Sequence, residues 1–267
     1  MIALIAGTGA LPGLLADALV AAGDPPVICE MAGFVPDVRA DLPRIRFRIE
    51  TLGTLLDKLH QQGVTRICMA GAVRRPRIDP AAFDALTAPL VPRLTAAMTK
   101  GDDGTLRAII AVLEERGFAI VGADQILPGL LPDAGILTLV HVNPALQSDA
   151  QMAQAQIAAM GRADTGQACV IRDGIVVARE DAAGTDAMLH GLAAKPDFAR
   201  VGLLFKAPKP GQDRRVDLPV IGPATAMMAA KAGLAGIVIQ AGGVMVIDQP
   251  QVVSILDGQG MFLWVRP

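Results

Sequence analysis

The first half of the chain alternates short apolar runs with segments whose apolar side chains recur at helical spacing, and this alternation limits the fold more than any other feature. The first apolar run, Ile2–Ala6, precedes a helical pattern from Leu14 to Ala22. Further strand-like runs lie at Val27–Cys29, Ile45–Ile49, Arg66–Ala70 and Ala119–Gly122, with helical patterns at residues 52–59, 81–98 and 103–116. Because strands that alternate with helices form βαβ units, we expect a parallel sheet covered by helices.

The alternation weakens between Leu127 and Asn143, where prolines and glycines accumulate. We therefore expect an N-terminal domain over residues 1–132, a linker over 133–147 and a C-terminal α/β domain over 148–267. In the C-terminal part, helical patterns cover residues 148–161, 185–193 and 223–231, and strand-like runs lie at 167–171, 174–178, 201–205 and 237–240. The sequence Arg172-Asp173-Gly174 between two of these runs predicts a β-hairpin.

Composition and charge exclude several classes of protein. Hydrophobic residues make up 52% of the chain, but no uninterrupted apolar stretch approaches the roughly 20 residues that a membrane-spanning helix needs. The formal net charge of −2 gives no general attraction to nucleic acid, so we expect no nucleic-acid partner. The three cysteines fit neither a disulfide framework nor a CxxC metal site, and the chain starts in a strand-like run rather than a basic leader. These features predict a cytoplasmic protein.

The turn Gly7-Thr8-Gly9-Ala10-Leu11-Pro12 connects the first strand-like run to the first helix. A glycine-rich turn at a helix N-terminus lets backbone N–H groups approach a phosphate, although the same glycines also serve a tight turn. As a dinucleotide motif the turn is incomplete, because Pro12 stands where a third glycine is expected, although Glu30 supplies the acid expected about 20 residues further on. Binding of NAD is therefore the weaker alternative.

Three further stretches carry polar residues that suit an anionic ligand. Gly71 and the cations of Arg74-Arg75-Pro76 follow a predicted strand, where open α/β sheets bind ligands, although a solvated basic loop has the same composition. Lys100-Gly101-Asp102-Asp103 precedes a helix. Capping of that helix by one aspartate is the favoured interpretation, and contact with a metal or a sugar hydroxyl is the alternative. In Gly184-Thr185-Asp186, Thr185 is expected to cap the next helix, with Asp186 in its first turn.

The loop from Lys206 to Gly222 is the most informative stretch for chemistry. Three prolines stiffen it, and four cations surround Asp213 and Asp217 in a chain that is otherwise sparsely charged. Cations stabilise charge on phosphate oxygens, and a carboxylate holds Mg²⁺ or orients a water, so the composition favours phosphoryl chemistry. A surface loop with internal ion pairs is the alternative. The sequence contains no GxSxG, HExxH or paired CxxC motif.

Taken in order, the stretches Gly7–Pro12, Gly71 with Arg75-Pro76, Lys100–Asp103, Gly184–Asp186 and Lys206–Gly222 resemble the UDP-2,3-diacylglucosamine pyrophosphatases of the LpxI type. The resemblance implies Mg²⁺-dependent hydrolysis to UMP and 2,3-diacylglucosamine 1-phosphate in lipid A biosynthesis, with water attacking the α-phosphorus. It also implies a Rossmann-like N-terminal domain, a distinct C-terminal α/β domain and a substrate held in the cleft between them. Ala183 departs from the pattern, because an acidic residue often precedes the Gly-Thr-Asp triplet in the family.

Because the stiff, cation-rich loop fixes its position, Asp217 is the favoured catalytic carboxylate and ligand of Mg²⁺, or of Mn²⁺ in its place. Asp213 on the same loop is its rival or a second catalytic carboxylate and metal ligand, and pairing with Arg214 is the alternative for it. The resemblance places substrate binding on Gly7, Thr8, Gly9, Leu11, Pro12, Gly71, Arg75, Lys100, Asp102, Thr185, Asp186, Lys206, Gln212, Arg215 and Thr225. A lipid substrate implies peripheral contact with the inner membrane surface, and no feature of the sequence indicates an oligomeric state. Two alternatives stay open: an NAD(P)-linked oxidoreductase and a non-enzymatic sensor of a UDP-sugar.

Overall fold

The structure is a computed structural model of the 267-residue chain, and it describes residues 1–73, 78–99, 101–194 and 202–267. The chain divides into two compact units. The first unit contains Met1–Pro128 together with the short segment Asp213–Val216, and the second contains Gly129–Gln212 and Asp217–Pro267. Four residues from the C-terminal half of the chain therefore belong to the first unit.

The first unit is built on a parallel sheet. Its strands are β1 (Ile2–Ala6), β2 (Val27–Met31), β3 (Arg44–Phe47), β4 (Arg66–Ala70) and β5 (Ala119–Ile120). They lie in the order β3-β2-β1-β4-β5, and each of these neighbouring pairs is parallel. The order reverses between β1 and β4, which is the arrangement of a Rossmann-like half and confirms the expected fold class. Open sheets of this kind bind ligands outside the carboxyl ends of the strands at such a reversal.

Helices cover both faces of this sheet, because successive residues of β1 are buried on opposite sides. The helices are α1 (Leu11–Ala21), α2 (Leu52–Gln61), α3 (Val91–Met98), α4 (Gly101–Glu115) and α5 (Ala123–Ile126). Leu55 of α2 and Leu113 of α4 share one apolar cluster with Ala3 of β1. The alternate β1 residues Ile2 and Leu4 are also fully buried.

The prediction of a helix over residues 81–98 is wrong for the first half of that range. Short 3₁₀ turns occupy Pro80–Ala82 and Ala88–Leu90, and the α-helix begins only at Val91. The Asp84 carboxylate accepts hydrogen bonds from the Thr87 N–H at 2.6 Å and from the Thr54 hydroxyl at 2.5 Å. These side-chain bonds compete with helical backbone bonds and hold the segment in a turn against α2.

The second unit contains a mixed six-stranded sheet and a small parallel two-stranded sheet. The large sheet consists of β6 (Gly135–Ile136), β7 (Ala168–Arg172), β8 (Ile175–Arg179), β9 (Leu203–Lys206), β11 (Gly236–Gln240) and β13 (Phe262–Arg266), and the small one of β10 (Val220–Ile221) and β12 (Met245–Val246). The order in the large sheet is β6-β13-β11-β9-β7-β8. The central strands β9, β11 and β13 are parallel, whereas β6, β7 and β8 pair in antiparallel fashion.

Four helices in the described part of this unit cover the sheet. They are α6 (Ala145–Arg162), α7 (Gly184–Ala193), α8 (Pro223–Lys231) and α9 (Gln249–Gly258). Ile157 of α6 packs in one cluster with Phe205 of β9, whereas Leu189 of α7 and Val252 of α9 pack with Leu204, which points to the other face of the same strand. No helix in the described ranges is both long enough and apolar enough to span a bilayer.

The hairpin predicted at Asp173-Gly174 is confirmed. Strands β7 and β8 pair in antiparallel register, and the two turn residues have positive φ values of 49° and 73°. Positive φ at both central positions is the geometry that makes Asp-Gly a favoured hairpin turn.

Candidate functional site

The glycine-rich turn after β1 is bonded to the loop after β4, at the point where the strand order reverses. The Thr8 N–H donates to the Ala72 carbonyl at 3.0 Å, and the Ala72 N–H donates back to the Thr8 carbonyl at 2.8 Å. The Gly7 N–H donates to the Ala70 carbonyl at 2.8 Å, and the Thr8 hydroxyl also donates to the Ala72 carbonyl. The N–H groups of Gly7 and Thr8 are therefore used inside the protein and are not free for a phosphate.

Glycine stands at three positions of this edge for different structural reasons. A Cβ atom on Gly7 would lie 2.6 Å from the Ala72 carbonyl oxygen, and one on Gly71 would lie 2.8 Å from the Thr8 carbonyl oxygen. Gly7 and Gly71 are thus required for the close approach of the two loops. Gly9 has a positive φ of 100°, and no described atom lies within 4 Å of the position that a Cβ atom would take there. Within the described residues, the space beside Gly9 is open.

Helix α1 presents its N-terminus at the same edge. It begins at Leu11, with Pro12 in its first turn and no side-chain hydrogen bond at the capping residue Ala10. The first N–H groups of a helix lack intrahelical acceptors and attract anions. The side chains of Leu11 and Pro12, two predicted binding residues, are buried.

Glu30, the acid that a dinucleotide site would need, is already paired. Its side chain is buried at the end of β2, and Oε2 accepts from Arg44 while Oε1 contacts Nε of Arg46, both at 3.1 Å. A carboxylate with both oxygens engaged by arginines is not free to bind ribose hydroxyls. This arrangement disfavours the NAD(P) alternative.

Several predicted residues of the first unit can be placed only in part. Arg75 and Lys100 lie outside the described residues, as does the rest of residues 74–77, and Asp102 is described only as part of the α4 backbone. Asp103 lies in the first turn of α4 and pairs with Arg107 one turn later, so this aspartate is not a cap that precedes the helix.

Lys206 is the most deeply buried cation among the predicted site residues that the structure describes. It ends β9 and is 7% exposed, and its Nζ donates to the Thr185 hydroxyl at 2.9 Å and to the Val220 carbonyl at 3.0 Å. Burial lowers the pKa of this ammonium, while the charges of Glu180 and Asp186 oppose that shift. Because an ammonium has three hydrogens and described residues accept two of them, one remains for a ligand.

The prediction that Thr185 caps α7 is wrong. The helix begins at Gly184 with Ala183 at the cap position, and Thr185 lies in the first turn with only 7% of its surface exposed. Its hydroxyl accepts from Lys206 and donates to Oε1 of Glu180 at 2.8 Å, so tertiary contacts replace the cap. Asp186 does lie in the first turn, as expected, and is exposed.

Glu180 was missed by the sequence reasoning, although it belongs to this cluster. It is 9% exposed and also accepts the backbone N–H of Gln167 at 2.8 Å. The available signal was an acid directly after an apolar strand and only five residues before Thr185. In sequence alone that acid reads as the exposed end of a hairpin.

Asp217 is held on the second unit by Gln212. The Gln212 Nε2 donates to Oδ2 of Asp217 at 2.5 Å, and Gln212 Oε1 accepts the Lys209 N–H at 2.9 Å. Thr225, a further predicted binding residue, lies buried in the first turn of α8. In the second unit, hydrogen bonds run from Lys206 through Thr185 and Glu180 to the Gln167 N–H. The Gln167 side chain accepts from Gln212 at 3.5 Å, and Gln212 also donates to Asp217.

Asp213 has a different environment, because it belongs to the first unit. Its Oδ1 accepts from the backbone N–H and Nε of Arg215, both at 3.0 Å, and Oδ2 accepts from Nη2 at 2.7 Å. These bonds hold the pKa of Asp213 below its usual value. Arg215 also pairs with Glu114 of α4 at 2.6 Å, so its guanidinium is engaged by two carboxylates.

The carboxylates fit a magnesium ion unequally. The described residues contain no group of three His, Cys, Asp or Glu side chains that could hold a metal on its own. Mg²⁺ commonly takes only one or two protein carboxylates and completes its shell with substrate phosphates and water. Asp217, whose Oδ2 accepts from a neutral donor, fits such a site, whereas Asp213 is neutralised by Arg215 in this arrangement.

Comparison with known proteins finds matches over nearly the whole chain. A family model described as the LpxI N-terminal domain matches residues 1–130, and one described as the LpxI C-terminal domain matches residues 133–264. The chain is 38% identical over 266 residues to the UDP-2,3-diacylglucosamine pyrophosphatase LpxI of Caulobacter vibrioides, covering 97% of this chain and 95% of that protein. With both domains matched and an identity of this extent, the chain belongs to the LpxI family.

Proposed function

We propose that this chain hydrolyses the diphosphate of UDP-2,3-diacylglucosamine to UMP and 2,3-diacylglucosamine 1-phosphate, as a step of lipid A biosynthesis. The observation that carries the proposal is the 38% identity to the Caulobacter enzyme of that name across 97% of this chain. The buried ammonium of Lys206, with one hydrogen left for a ligand, supports it, because a diphosphate is an anion that such a group can bind.

The chain's own residues divide the work of this reaction. Lys206 binds a phosphate oxygen and stabilises the negative charge that develops during hydrolysis. Asp217, held by Gln212, orients the attacking water through its remaining carboxylate oxygen. The N-terminus of α1, with Gly9 beside it, offers backbone N–H groups to an anionic part of the substrate.

A divalent cation, Mg²⁺ or Mn²⁺, is proposed as the cofactor, with Asp217 as its protein ligand. When bound, the ion polarises phosphoryl oxygens and neutralises their charge. Hard carboxylate oxygens are the ligands that these ions prefer, which supports the choice over zinc or copper.

One experiment tests the reaction and the point of attack together. The purified protein is incubated with UDP-2,3-diacylglucosamine and Mg²⁺ in water enriched in ¹⁸O, and the masses of the two products are measured by mass spectrometry. Attack on the α-phosphorus puts the label into UMP. Label in the sugar phosphate would overturn the proposed point of attack, and intact substrate would overturn the enzymatic function in favour of a UDP-sugar sensor.

We also propose that the protein meets its lipid substrate by peripheral contact with the inner membrane. Two acyl chains keep such a substrate at a bilayer surface, so the enzyme has to reach it there. Flotation with vesicles that contain UDP-2,3-diacylglucosamine tests this contact. Recovery of the protein with vesicles only when the substrate is present supports it, and no recovery in either case contradicts it.

A further inference from the structure

Glu180 is a buried carboxylate that directly follows β8 in the second unit. Burying a charge is costly unless hydrogen bonds compensate for the lost water. Here each carboxylate oxygen accepts one bond, Oε2 from the Gln167 N–H and Oε1 from the Thr185 hydroxyl, both at 2.8 Å. An ionised carboxylate only accepts, so two donors converging on one carboxylate suit the charged form.

The Thr185 hydroxyl connects this carboxylate to Lys206. Its oxygen accepts from the Lys206 ammonium at 2.9 Å, and its hydrogen is donated to Glu180. The second acceptor of Lys206, the Val220 carbonyl, is uncharged. The ammonium therefore touches two neutral oxygens, and its buried countercharge lies one hydroxyl away, within about 6 Å.

The charges around Lys206 come from a small set of elements. Burial lowers its pKa, and the charges that raise it again belong to Glu180 and to Asp186 in α7. The residues paired with Lys206 on the neighbouring strands, Ala168 of β7 and Ile239 of β11, are uncharged. Asp186 is exposed and screened by water, whereas Glu180 is buried. The electrostatic attraction of the ammonium to Glu180 is therefore the stronger one.

We propose that Glu180 is a positioning residue that acts through Thr185 to keep Lys206 charged and to fix its direction, leaving one N–H hydrogen for the anionic substrate. A glutamine is not equivalent. With its NH₂ group toward Gln167 it places two donors against each other, and with its NH₂ group toward Thr185 it leaves the Thr185 hydroxyl hydrogen without its acceptor. The identity of the substrate rests on the proposed function, but the link between Glu180 and Lys206 does not.

The link is tested by NMR of the side-chain nitrogen of Lys206 in ¹⁵N-lysine-labelled full-length protein, assigned with a Lys206→Arg variant. In Glu180→Gln, the pH at which Lys206 loses its proton is expected to fall by about one unit, because a nearby countercharge is lost. Thr185→Val, which removes the connecting hydroxyl and leaves Glu180 in place, is expected to shift it in the same direction. Asp181→Asn is the matched control, an exposed carboxylate next in the chain whose charge is not among those that act on Lys206.

The role in the reaction is tested by UMP release from UDP-2,3-diacylglucosamine. In Glu180→Gln, kcat is expected to fall about 10- to 100-fold, the usual range for losing the partner that orients an active group, with little change in KM. The alkaline limb of the pH profile is expected to move to lower pH, since the ammonium is lost earlier. Thr185→Ser, which keeps the hydroxyl, is expected to recover most of the turnover lost in Thr185→Val.

The outcomes separate this inference from the proposed function. If Lys206 titrates at the same pH in wild type, Glu180→Gln and Thr185→Val, the link to Glu180 is refuted whatever the activity. If the NMR shift appears but the wild type leaves the substrate intact, the proposed reaction fails and the link stands. A fall in kcat with an unchanged pH profile and unchanged Lys206 titration would show a merely structural role and overturn the proposal. Should Glu180→Gln fail to fold, an unshifted Lys206 titration in Thr185→Val still refutes the link.

Discussion

Replacement of Asp217 by asparagine removes a charge and leaves the shape of the side chain unchanged. This carboxylate accepts a hydrogen bond from Nε2 of Gln212, and an asparagine oxygen in the same position can accept it as well. We expect the variant to fold. The perturbation therefore acts on the carboxylate charge, which the proposed mechanism needs for the water and for the divalent cation.

The size of the effect follows from the setting of Asp217. A hydrogen bond to a charged group contributes about 1.5–3 kcal/mol, and the partly exposed Asp217 keeps some neutral version of it, so we expect a stability loss of about 1 kcal/mol. A domain stable by roughly 5–15 kcal/mol stays almost fully folded after such a loss. The loss of one positioned catalytic group lowers turnover about 10²- to 10⁴-fold, far more than unfolding can explain here.

The assay is UMP release by Asp217→Asn beside Asp213→Asn, with urea unfolding and UMP binding measured for both. Asp213 lies on the same loop but is bound to Arg215. Its replacement is therefore expected to lower the stability of the protein and to reduce turnover less than the replacement of Asp217 does. Near-normal turnover in Asp217→Asn would remove this residue from the mechanism. Loss of cooperative unfolding in that variant would show instead that its carboxylate is structural.

Three further predictions concern the cofactor and the first unit. Activity is expected to disappear with a chelator and to return with Mg²⁺ or Mn²⁺, and undiminished turnover after complete metal removal contradicts the cofactor. Arg48 and the Asp79 N–H hold the pKa of Glu50 at about 2, below its ordinary 4.5, so this ion pair stabilises the fold above pH 4.5 and the benefit is lost as pH falls toward 2. Glu50→Gln is therefore expected to lose on the order of 1–3 kcal/mol at pH 7 and less at pH 3 in urea unfolding, whereas an equal difference at both pH values refutes the linkage. Gly53→Ala is expected to cost about 1–3 kcal/mol, because its Cβ would meet the Leu86 carbonyl carbon at 2.3 Å, while Gly191→Ala, with no described atom within 4 Å, serves as its control.

The sequence predicts the first unit well because its signals are local. Apolar runs, helical spacing and stop signals such as Gly23 and Gly63 lie within each element, and the parallel order of the sheet follows from their alternation. The prediction for the segment before Val91 is wrong because its structure depends on contacts that are distant in sequence. Its turn depends on Asp84, Thr87 and Gly53, and the last of these lies on a helix more than 30 residues earlier in the chain.

The candidate site is predicted less completely, because long-range pairs decide its details. Lys206 and Asp217 could be selected from a stiff, charged loop. The roles of Thr185 and Glu180 depend on α7 and β8 meeting the end of β9, which no local pattern shows. The same applies to the environment of Arg215, which forms an ion pair with Glu114, 101 residues away in the chain.

Substitution of Gly9 tests whether the loop after β1 binds a ligand or serves only as a tight turn. Gly9 and Gly117 both have positive φ values, 100° and 84°, and at both no described atom lies within 4 Å of an added Cβ. Alanine at either position is therefore expected to cost about 1 kcal/mol of stability for the same backbone reason. Gly117 follows α4, away from the carboxyl edge of the sheet. If the N-terminus of α1 receives an anion, only Gly9→Ala should also weaken UMP binding, by about tenfold, because its methyl group occupies the approach. Calorimetry with UMP decides between them, and equal affinities in the two variants would show that the glycine serves the turn alone.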